Sequence, residues 1–430
     1  MRISILGIPI DNLTRSEFLN RISDMLDSEN SNLVATVNAE FLVHAQRDAE
    51  FRAVLANSEI NTADGIGVLW AAKYLTLPTP NIPIIKWIVA FFELIYTGVL
   101  IVLSPKTIRS VIKEKISGSE IIWSIAELAT RKNKSIYLLG GYGDTAEKVK
   151  QKLLEKYPTI NILGADASNP RDSGLAEKIK ILKPDILLVA YGPVKQEMWI
   201  AENIKNIGAK LGIGLGGTFD YIAGNKPFAP HILRHVGLEW AFRLVTQPKR
   251  IKRIFDAVVV FAWYMLRHKI QTLKPYRKNV LACVVNEKNE ILICKRKQIS
   301  NEYEFFEPEK KHWQLPQGGV DTNESNEEAL VRELKEEIGV KHIEVLGEIL
   351  NAHTYEWPIT MTGGWARIYR GQVQTLYFIR FHADHDEIKI DNDEFDSYKW
   401  VNKNELINSI HPVRKKVAEI IVENFGRYVK

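Results

Sequence analysis

The stretch GGVDTNESNEEALVRELKEEIGV, residues 318–340, decides the fold of the last third of the chain. Residues 323–325 offer a helix start, because Asn and Ser side chains accept hydrogen bonds from the first backbone N–H groups of a helix. Gly339 offers the stop, since glycine readily adopts the left-handed conformation that ends a helix. Between them Glu333, Glu336 and Glu337 are spaced so that their carboxylates crowd one helix face.

This crowding of negative charge favours a metal site. Like charges on one face destabilise an isolated helix, and a hard divalent cation that bridges carboxylate oxygens to a pyrophosphate offsets the repulsion. The structural alternative is a solvated acidic face, which acidic clusters usually are. Here the glutamates coincide with a Gly-Gly turn before the helix and a glycine after it, which favours the metal site. We expect Arg332 and Glu324 to pair and hold the loop against the helix.

The same stretch resembles the Nudix box, G-x5-E-x7-R-E-U-x-E-E-x-G-U, at every fixed position. The flanking motifs HWQLPQGGV, YRGQVQTLYFIRF, EFDSYKWV and HPVRKKV are similar to the branch of RNA pyrophosphohydrolases and diadenosine-polyphosphate hydrolases. The resemblance implies an α+β Nudix domain over residues 276–430, built on a mixed sheet, that uses Mg²⁺ or Mn²⁺ to hydrolyse a nucleoside polyphosphate. It implies that Glu333 and Glu337 are catalytic and that the metal ligands are Glu333, Glu336, Glu337 and Glu394.

Two parts of this resemblance leave alternatives open. Glu394 matches a downstream carboxylate by its position in EFD, and a surface acid beside a strand fits that position as well. The segment WPITMTGGWARIYRGQ lacks the basic Leu-Pro-x-Arg-type stretch associated with the RNA-acting members. An RNA 5′ end is therefore a less favoured substrate.

The first 245 residues alternate apolar strand-like runs with amphipathic helical runs. The predicted strands are LVATVN (33–38), SIYLLGG (135–141), DILLVAYG (185–192) and KLGIGLGG (210–217). Residues 39–55 predict a helix after the first of them. This alternation predicts an α/β fold, a Rossmann-like and mostly parallel sheet with helices on both faces.

Several motifs in this region, TVNAEFLVHAQRDAEF, INTADGIGVLWAAKYL, SGSEII, YGPVKQEMWIA, GLGGTFDYIAG and GLEWAFRL, resemble the WecG/TagA/CpsF glycosyltransferase family in their order. The resemblance implies a transferase domain over residues 1–250 with an apolar insertion at 78–115. It implies transfer of an N-acetylhexosamine, often N-acetylmannosamine, from a UDP-sugar to a polyprenyl-diphosphate-linked acceptor. The first 250 residues contain no Asp-x-Asp motif, so we expect no metal cofactor in this domain.

Asp64 is the candidate base of the transferase. It lies between a predicted strand and a predicted helix, where ligands bind in open α/β sheets, and a carboxylate there can take the proton of an acceptor hydroxyl. A helix N-cap is the alternative role, and the family position favours the base. Thr36 and Asn38 match family positions that line the same pocket. Gln196 matches an amide that holds sugar hydroxyls or the base, although a helix-start residue is the alternative.

Two further groups are candidates for binding phosphate. Backbone N–H groups at Gly140 and Gly141 can cradle the UDP diphosphate at a helix start, although tight-turn packing explains these glycines equally well. The cations Arg243, Arg250 and Arg253 can neutralise the diphosphate of the leaving group or of the lipid. Their alternative role is membrane-surface charge.

Two apolar segments predict contact with a membrane. Residues 87–103 contain one charge, Glu93, and span roughly 25 Å against the ~30 Å of a hydrocarbon core, so an interfacial or re-entrant helix is favoured over a span. A buried core helix is the alternative, and Glu93 is expected near the headgroups. Residues 251–275 are interpreted as an interfacial segment and linker, with Trp263 and Tyr264 near the headgroups. Flanking cations favour an anionic surface: Lys86, Lys106, Arg109, Lys113 and Lys115.

Composition agrees with a globular cytoplasmic protein. Hydrophobic residues make up 46% and charged residues 25%, and a net charge of +5 is too small to indicate nucleic-acid binding by itself. The two cysteines, Cys283 and Cys294, flank a predicted hairpin, so a disulfide framework is not expected. The N-terminal residues lack the pattern of a signal peptide. Nothing in the sequence indicates the oligomeric state.

The sequence thus predicts a bifunctional enzyme at the inner face of the plasma membrane, acting in cell-surface polysaccharide synthesis. One alternative is a Nudix domain that hydrolyses nucleotide sugars or dinucleoside polyphosphates, joined to an N-terminal domain that binds a nucleotide sugar without turnover. A purely structural membrane tether is a further alternative. It would not require Asp64, Asn38 and Gln196 at their family positions.

Overall fold

The computed structural model describes residues 2–230, 233, 239–297 and 313–429. The chain forms two compact units, a first unit Met1–Ile270 and a second unit Gln271–Lys430. Each unit has its own sheet.

The first unit is built on a parallel sheet. Its strands are β1 (Arg2–Ile5), β2 (Ile8–Asp11), β3 (Asn32–Val37), β4 (Ile60–Ala63), β5 (Ser135–Gly140), β6 (Asn161–Asp166), β7 (Ile186–Ala190) and β8 (Leu211–Gly214). Strands β1 and β2 form an antiparallel hairpin, and the other six form a parallel sheet in the order β4-β3-β8-β7-β5-β6. The predicted parallel α/β sheet is confirmed.

Helices cover both faces of this sheet. They are α1 (Arg15–Asp27), α2 (Ala39–His44), α3 (Ala49–Ala56), α4 (Ile66–Leu75), α5 (Ile85–Leu103), α6 (Pro105–Ile108), α7 (Gly118–Arg131), α8 (Thr145–Lys156), α9 (Leu175–Leu182), α10 (Lys195–Ile207), α11 (Thr218–Ile222) and α12 (Glu239–Thr246). Along β7, Ile186 and Leu188 join one hydrophobic cluster, whereas Leu187 and Val189 join another. This alternation follows from the two-residue period of a strand and produces one core on each side of the sheet.

The prediction of one continuous helix over residues 39–55 is wrong, because the segment forms two helices, α2 and α3. The Asp48 side chain accepts a hydrogen bond from the backbone N–H of Phe51 at 2.9 Å and caps α3. An aspartate in mid-helix competes for backbone donors in this way, so it starts a new helix.

Residues 251–270 complete the first unit, as α13 (Ile251–Phe255), a π-helical turn (Asp256–Val260) and most of α14 (Phe261–Thr272). The prediction that Tyr264 lies at the headgroups is wrong, because its side chain is buried while Trp263 is 52% exposed. The prediction for Glu93 is also wrong. Its carboxylate lies 2.7 Å from the ammonium of Lys269, which is buried. The buried cation needs an anionic partner, which holds Glu93 inside the protein.

The second unit has a seven-stranded mixed sheet. Its strands are β9 (Arg277–Val285), β10 (Ile291–Arg296), β11 (Trp313–Gln314), β12 (Gln317–Gly319), β13 (Glu344–Glu356), β14 (Gly371–Arg380) and β15 (Phe395–Val401), and its helices are α15 (Asn326–Ile338), α16 (Lys403–Ser409) and α17 (Lys415–Tyr428). Strand β14 pairs with β9 in parallel, and the remaining pairs are antiparallel. The predicted mixed sheet and the hairpin between the cysteines are confirmed.

The two faces of this sheet pack against different helices. Cys283 joins the cluster that contains Ile421 of α17, whereas Cys294 joins the cluster that contains Leu334 of α15. Both cysteines are buried and free. The sheet therefore separates α15, which carries the acidic motif, from the C-terminal helix.

Candidate active sites

The acidic helix of the second unit begins and ends where the sequence predicts. Ser325 is the N-cap, its hydroxyl accepts from the N–H of Glu328, and the Glu328 carboxylate accepts from the N–H of Ser325. Gly339 ends the helix in the left-handed conformation at φ 75°. This capping box fixes the first turn of α15.

The predicted pair of Arg332 and Glu324 is present. Arg332 donates to both carboxylate oxygens of Glu324 at 2.8 and 2.9 Å and to the carbonyl oxygen of Gly319 at 2.8 Å. It also donates to Glu333 at 2.7 Å and to Glu336 at 3.1 Å. One guanidinium thus ties the loop before the helix to two of the candidate metal ligands.

Several carboxylates interact beside strand β12, where Glu394 interacts with both Glu333 and Glu337, and Glu336 interacts with Glu333. Glu337 is buried, and its Oε2 accepts a hydrogen bond from the N–H of Gln317 at 2.9 Å. Burial raises the pKa of Glu337 well above its usual range, and the charges of Glu394 and Glu333 reinforce the shift. Burial also raises the pKa of Glu333, with Arg332 opposing the shift and Glu336 and Glu394 reinforcing it. The predicted downstream carboxylate, Glu394, therefore lies close enough to interact with two of the glutamates on α15.

Gly318 has a packing role in this cluster. A Cβ at that position would lie 1.7 Å from the Cδ of Glu333, so any side chain there would displace the carboxylate. The fixed glycine of the motif thus allows β12 to approach α15 closely.

This donor set fits a hard divalent cation. All four side chains offer carboxylate oxygens, which Mg²⁺ prefers, and a bound cation would offset both the burial and the mutual repulsion that raise the pKa values of Glu333 and Glu337. Glu287, His382 and Asp384 form another group in the described part of the chain, with ligand atoms within 4.8 Å of one another. His382 already contacts Glu344 at 2.8 Å, and such surface clusters commonly form without an ion.

In the first unit, Asp64 directly follows β4 at the carboxyl end of the parallel sheet. Its N–H donates to the carbonyl of Val37 at 2.8 Å, which fixes the backbone beside the end of β3. Burial raises the pKa of the Asp64 carboxyl to about 6, with Lys115 opposing the shift and Glu239 reinforcing it. A carboxylate with a pKa near neutrality is suited to accept a proton at physiological pH.

The three polar residues predicted to line this pocket all make hydrogen bonds within the protein. The Thr36 hydroxyl donates to the carbonyl of Gly214 at 3.2 Å, and the Asn38 side chain caps α2 by accepting from the N–H of Phe41 at 3.1 Å. The Gln196 side chain accepts from the N–H of Gly216 at 2.9 Å. Thr36 and Gln196 therefore hold the turn after β8 from two sides.

Glu197 is a buried carboxyl beside Gln196 that the sequence did not single out. Its side chain is buried, its Oε1 accepts from the Gln196 amide at 2.6 Å, and its Oε2 has no hydrogen-bond partner among the described residues. Burial raises the pKa of this carboxyl to about 8. The signal in the sequence was a glutamate directly after Gln196, at a helix start that follows a buried strand.

This burial predicts how stability depends on pH. Between the unfolded pKa of 4.5 and the folded pKa of about 8, the unfolded chain loses the Glu197 proton and the folded chain keeps it, so rising pH favours unfolding. From pH 5 to pH 8 the native protein should lose up to about 4 kcal/mol relative to Glu197→Gln, which has no such proton. Urea unfolding of both proteins at each pH measures the difference. Parallel stability profiles would show that Glu197 is ionised in the folded state.

The glycines proposed to cradle phosphate are required by packing. A Cβ on Gly140 would lie 2.8 Å from the carbonyl carbon and oxygen of Ala190, and a Cβ on Gly141 would lie 2.9 Å from the Cβ of Thr145. The N–H of Gly141 donates to the carbonyl of Ala190 at 3.0 Å. The tight-turn alternative therefore accounts for both residues, and the Gly141 N–H already has an acceptor.

The three arginines fall into two environments. Arg253 donates to both carboxylate oxygens of Glu40 at 2.7 and 2.9 Å. Arg243 pairs with Glu239, and its guanidinium lies 5.5 Å from the ring centre of Tyr221. The Asp64 charge contributes to raising the pKa of Arg243, although burial opposes the shift.

Arg250 lies beside the same turn that Gln196 holds. Its Nη2 is 4.0 Å from the position of a Cβ on Gly217. Nearby, the Tyr221 hydroxyl and both polar side-chain atoms of Gln247 are buried without a hydrogen-bond partner in the described residues. Buried polar groups are normally paired, so these atoms are available to a polar ligand beside Arg243 and Arg250.

Comparison with known families agrees with both resemblances. The pattern of the family described as "Glycosyl transferase WecG/TagA/CpsF family" matches residues 3–97 and 94–275, and that of the "NUDIX domain" matches residues 275–421. The first match covers more than half of the chain. Both predicted family assignments and both predicted enzyme classes, glycosyltransferase and Nudix hydrolase, are confirmed.

Individual relatives cover one unit each. N-acetylglucosaminyldiphosphoundecaprenol N-acetyl-beta-D-mannosaminyltransferase of Staphylococcus aureus strain MRSA252 is 24% identical over 271 residues, which cover 62% of this chain and 93% of the relative. Among solved structures, the MutT protein of Methanosarcina mazei Go1 is 24% identical with a TM-score of 0.27, covering 36% of this chain and 95% of its own. An Ap4A hydrolase of C. elegans is 14% identical with a TM-score of 0.25, covering 35% and 97%.

Proposed function

Because the chain belongs to the WecG/TagA/CpsF glycosyltransferase family and carries a Nudix domain, we propose that it is a bifunctional enzyme of cell-surface polysaccharide synthesis. The first unit transfers an N-acetylhexosamine, such as the N-acetylmannosamine named for the relative, from a UDP-sugar to a lipid-diphosphate-linked acceptor. The second unit hydrolyses a phosphoanhydride of a nucleoside polyphosphate. The enzyme works in the cytoplasm at the inner face of the plasma membrane, where a polyprenyl acceptor is anchored.

The position and the raised pKa of Asp64 support the transferase mechanism most strongly. The acceptor hydroxyl gives its proton to Asp64 while its oxygen bonds to the anomeric carbon of the donor sugar. The bond from that carbon to the diphosphate breaks, and the diphosphate keeps the electron pair. Arg243 and Arg250 stabilise the negative charge of the leaving group, since guanidinium groups bind phosphate strongly.

The pKa of Asp64 gives a kinetic prediction. Because the base acts only when deprotonated, kcat/KM for transfer should fall below pH 6, with an apparent pKa of about 6. With an aspartate of ordinary pKa as the base, kcat/KM would stay unchanged down to about pH 4. The measurement is the pH profile of transfer at low acceptor concentration. A profile without a break between pH 5 and pH 7 would exclude Asp64 as the base with this pKa.

In the second unit, Glu333, Glu336, Glu337 and Glu394 supply the ligands for Mg²⁺. A Mg²⁺ ion held by these residues would lower the pKa of a bound water molecule and neutralise charge on the phosphates. Arg332 keeps Glu333 and Glu336 oriented toward the site through its contacts at 2.7 and 3.1 Å. The buried Glu337 is fixed by the N–H of Gln317 at 2.9 Å.

A substrate panel tests this proposal. UDP-sugars with a short-chain lipid-diphosphate acceptor are assayed for transfer, and nucleotide sugars, dinucleoside polyphosphates and triphosphorylated RNA are assayed for hydrolysis. Transfer of a hexosamine together with hydrolysis of at least one nucleoside polyphosphate is the expected result. Hydrolysis of nucleotide sugars with no transfer to any acceptor would instead favour the alternative, a Nudix hydrolase with a non-catalytic sugar-nucleotide-binding unit.

A further inference from the structure

Helix α5 turns its polar side toward the protein. Ala90 and Thr97 are buried, and Glu93 between them pairs with Lys269 at 2.7 Å. The Trp70 indole donates to the Thr97 hydroxyl at 2.9 Å, and the Tyr74 hydroxyl donates to the carbonyl of Ala90 at 2.9 Å. A helix of a globular protein normally buries its apolar face, so this orientation is inverted.

The outward side of α5 is almost entirely apolar. The helix is long and apolar enough to cross a membrane, with a mean hydropathy of 1.9, and 11% of its most apolar window is buried. Soluble monomers rarely expose large contiguous apolar patches, so this face has a partner. The exposed side chains form what we call the apolar face of α5: Ile85, Trp87, Ile88, Phe91, Phe92, Ile95, Tyr96, Val99, Val102 and Leu103.

We propose that α5 lies in the plane of one lipid leaflet, with its apolar face in the acyl chains and its polar side on the protein. A span would carry the Glu93–Lys269 pair and the adjoining helices α4 and α14 into the hydrocarbon, where paired charges are costly. A helix in the interface plane buries one face and leaves the other with the protein. The proposal rests on the proposed function for its biological reason, since the acceptor is a lipid.

Charge and residue type identify lipid as the occupant of this face. Lys86 near the start of α5 and Lys106 just after it are the flanking cations, and the apolar face itself contains no acidic residue. Trp87 and Tyr96 on its rim are side chains that prefer the headgroup level. The run 251–263, which leads into the part of α14 that packs on α5, also exposes apolar side chains, Phe255, Val259 and Trp263, among basic residues.

Docking in this way sets the depth of the active site. Trp70 and Tyr74, which hold α5, lie on α4, and α4 begins at Ile66, immediately after Asp64 and Gly65. Six residues of helix span roughly 9 Å, and the apolar face lies about one further helix diameter, roughly 10 Å, beyond the inward side of α5. Docking therefore holds Asp64 within roughly 20 Å of the acyl chains, on the unit that meets the lipid-linked diphosphate.

The test is flotation of the full-length protein with vesicles of phosphatidylcholine containing phosphatidylglycerol, without any sugar nucleotide. The combined substitution Phe92→Asp, Tyr96→Asp and Val99→Asp alters side chains that are 65%, 57% and 50% exposed, so the protein should still fold. Vesicle binding should fall by about tenfold or more, because the variant lacks three apolar side chains whose transfer from water into lipid favours binding. A matched control, Ile181→Asp, Val345→Asp and Leu350→Asp, changes exposed side chains elsewhere and should bind like the native protein.

The same samples separate the other outcomes. The bound native protein should be released by an alkaline carbonate wash, and retention after the wash would show a span and overturn the in-plane proposal. Equal flotation of native protein and triple variant, or a native dimer that the triple variant dissociates without vesicle binding, would also overturn it. Flotation of a protein that shows no sugar transfer would contradict the proposed function but support the docking proposal. Transfer to a short-chain acceptor by a protein that does not float would support the proposed function and contradict the docking proposal.

Discussion

Glu337→Gln should reduce hydrolysis of nucleoside polyphosphates to background, a loss of roughly 10³-fold or more, while sugar transfer continues at the native rate. The substitution keeps the size of the side chain and its contact with the Gln317 N–H, but it removes a negative charge from the centre of the carboxylate cluster. A metal held by carboxylates depends on that charge both for affinity and for its position.

The control for this prediction is Glu327→Gln, on the exposed side of the same helix. Both variants are assayed for hydrolysis with Mg²⁺ and for transfer. Hydrolysis retained in Glu337→Gln would contradict the assignment of the metal ligands. Loss of transfer in the same variant would contradict the independence of the two active sites.

Asp64→Asn should lower transfer by about 10²–10⁴-fold, because the amide cannot accept the proton of the acceptor hydroxyl. Binding of the UDP-sugar, measured by calorimetry, should change little, since Asp64 acts on the acceptor. Hydrolysis by the second unit should be unchanged.

The matched control is Asp24→Asn, an exposed aspartate on α1. Native-rate transfer by Asp64→Asn would contradict the assignment of Asp64 as the base. Loss of UDP-sugar binding together with activity would indicate that the residue positions the donor instead.

Local patterns made the acidic helix predictable. Ser325 and Gly339 each act on the adjoining turn of the helix, and Arg332 and Glu324 are eight residues apart, so spacing alone indicates their contacts. The parallel sheet was predictable for a similar reason, because buried parallel strands are continuous apolar runs.

Contacts between distant segments were not predictable in the same way. Glu93 was expected near the headgroups, and it lies largely inside the protein because it pairs with the buried Lys269, 176 residues further along the chain. The roles of Thr36 and Gln196 in holding the turn after β8 depend on contacts across the fold, so the sequence did not indicate them. Their assignment to substrate binding stays a prediction. The burial of Glu197 was not predictable from the sequence, because it depends on the packing of α10 against that turn.

The proposed enzyme has two active sites with different chemistry in one chain, and a chelation experiment tests this most directly. Transfer and hydrolysis are measured in the same preparation with Mg²⁺ and then with excess EDTA. Hydrolysis should stop with EDTA and return with Mg²⁺, while transfer should keep its rate throughout, because a carboxylate base and arginines carry it. Loss of transfer with EDTA, or hydrolysis that continues in it, would contradict the account.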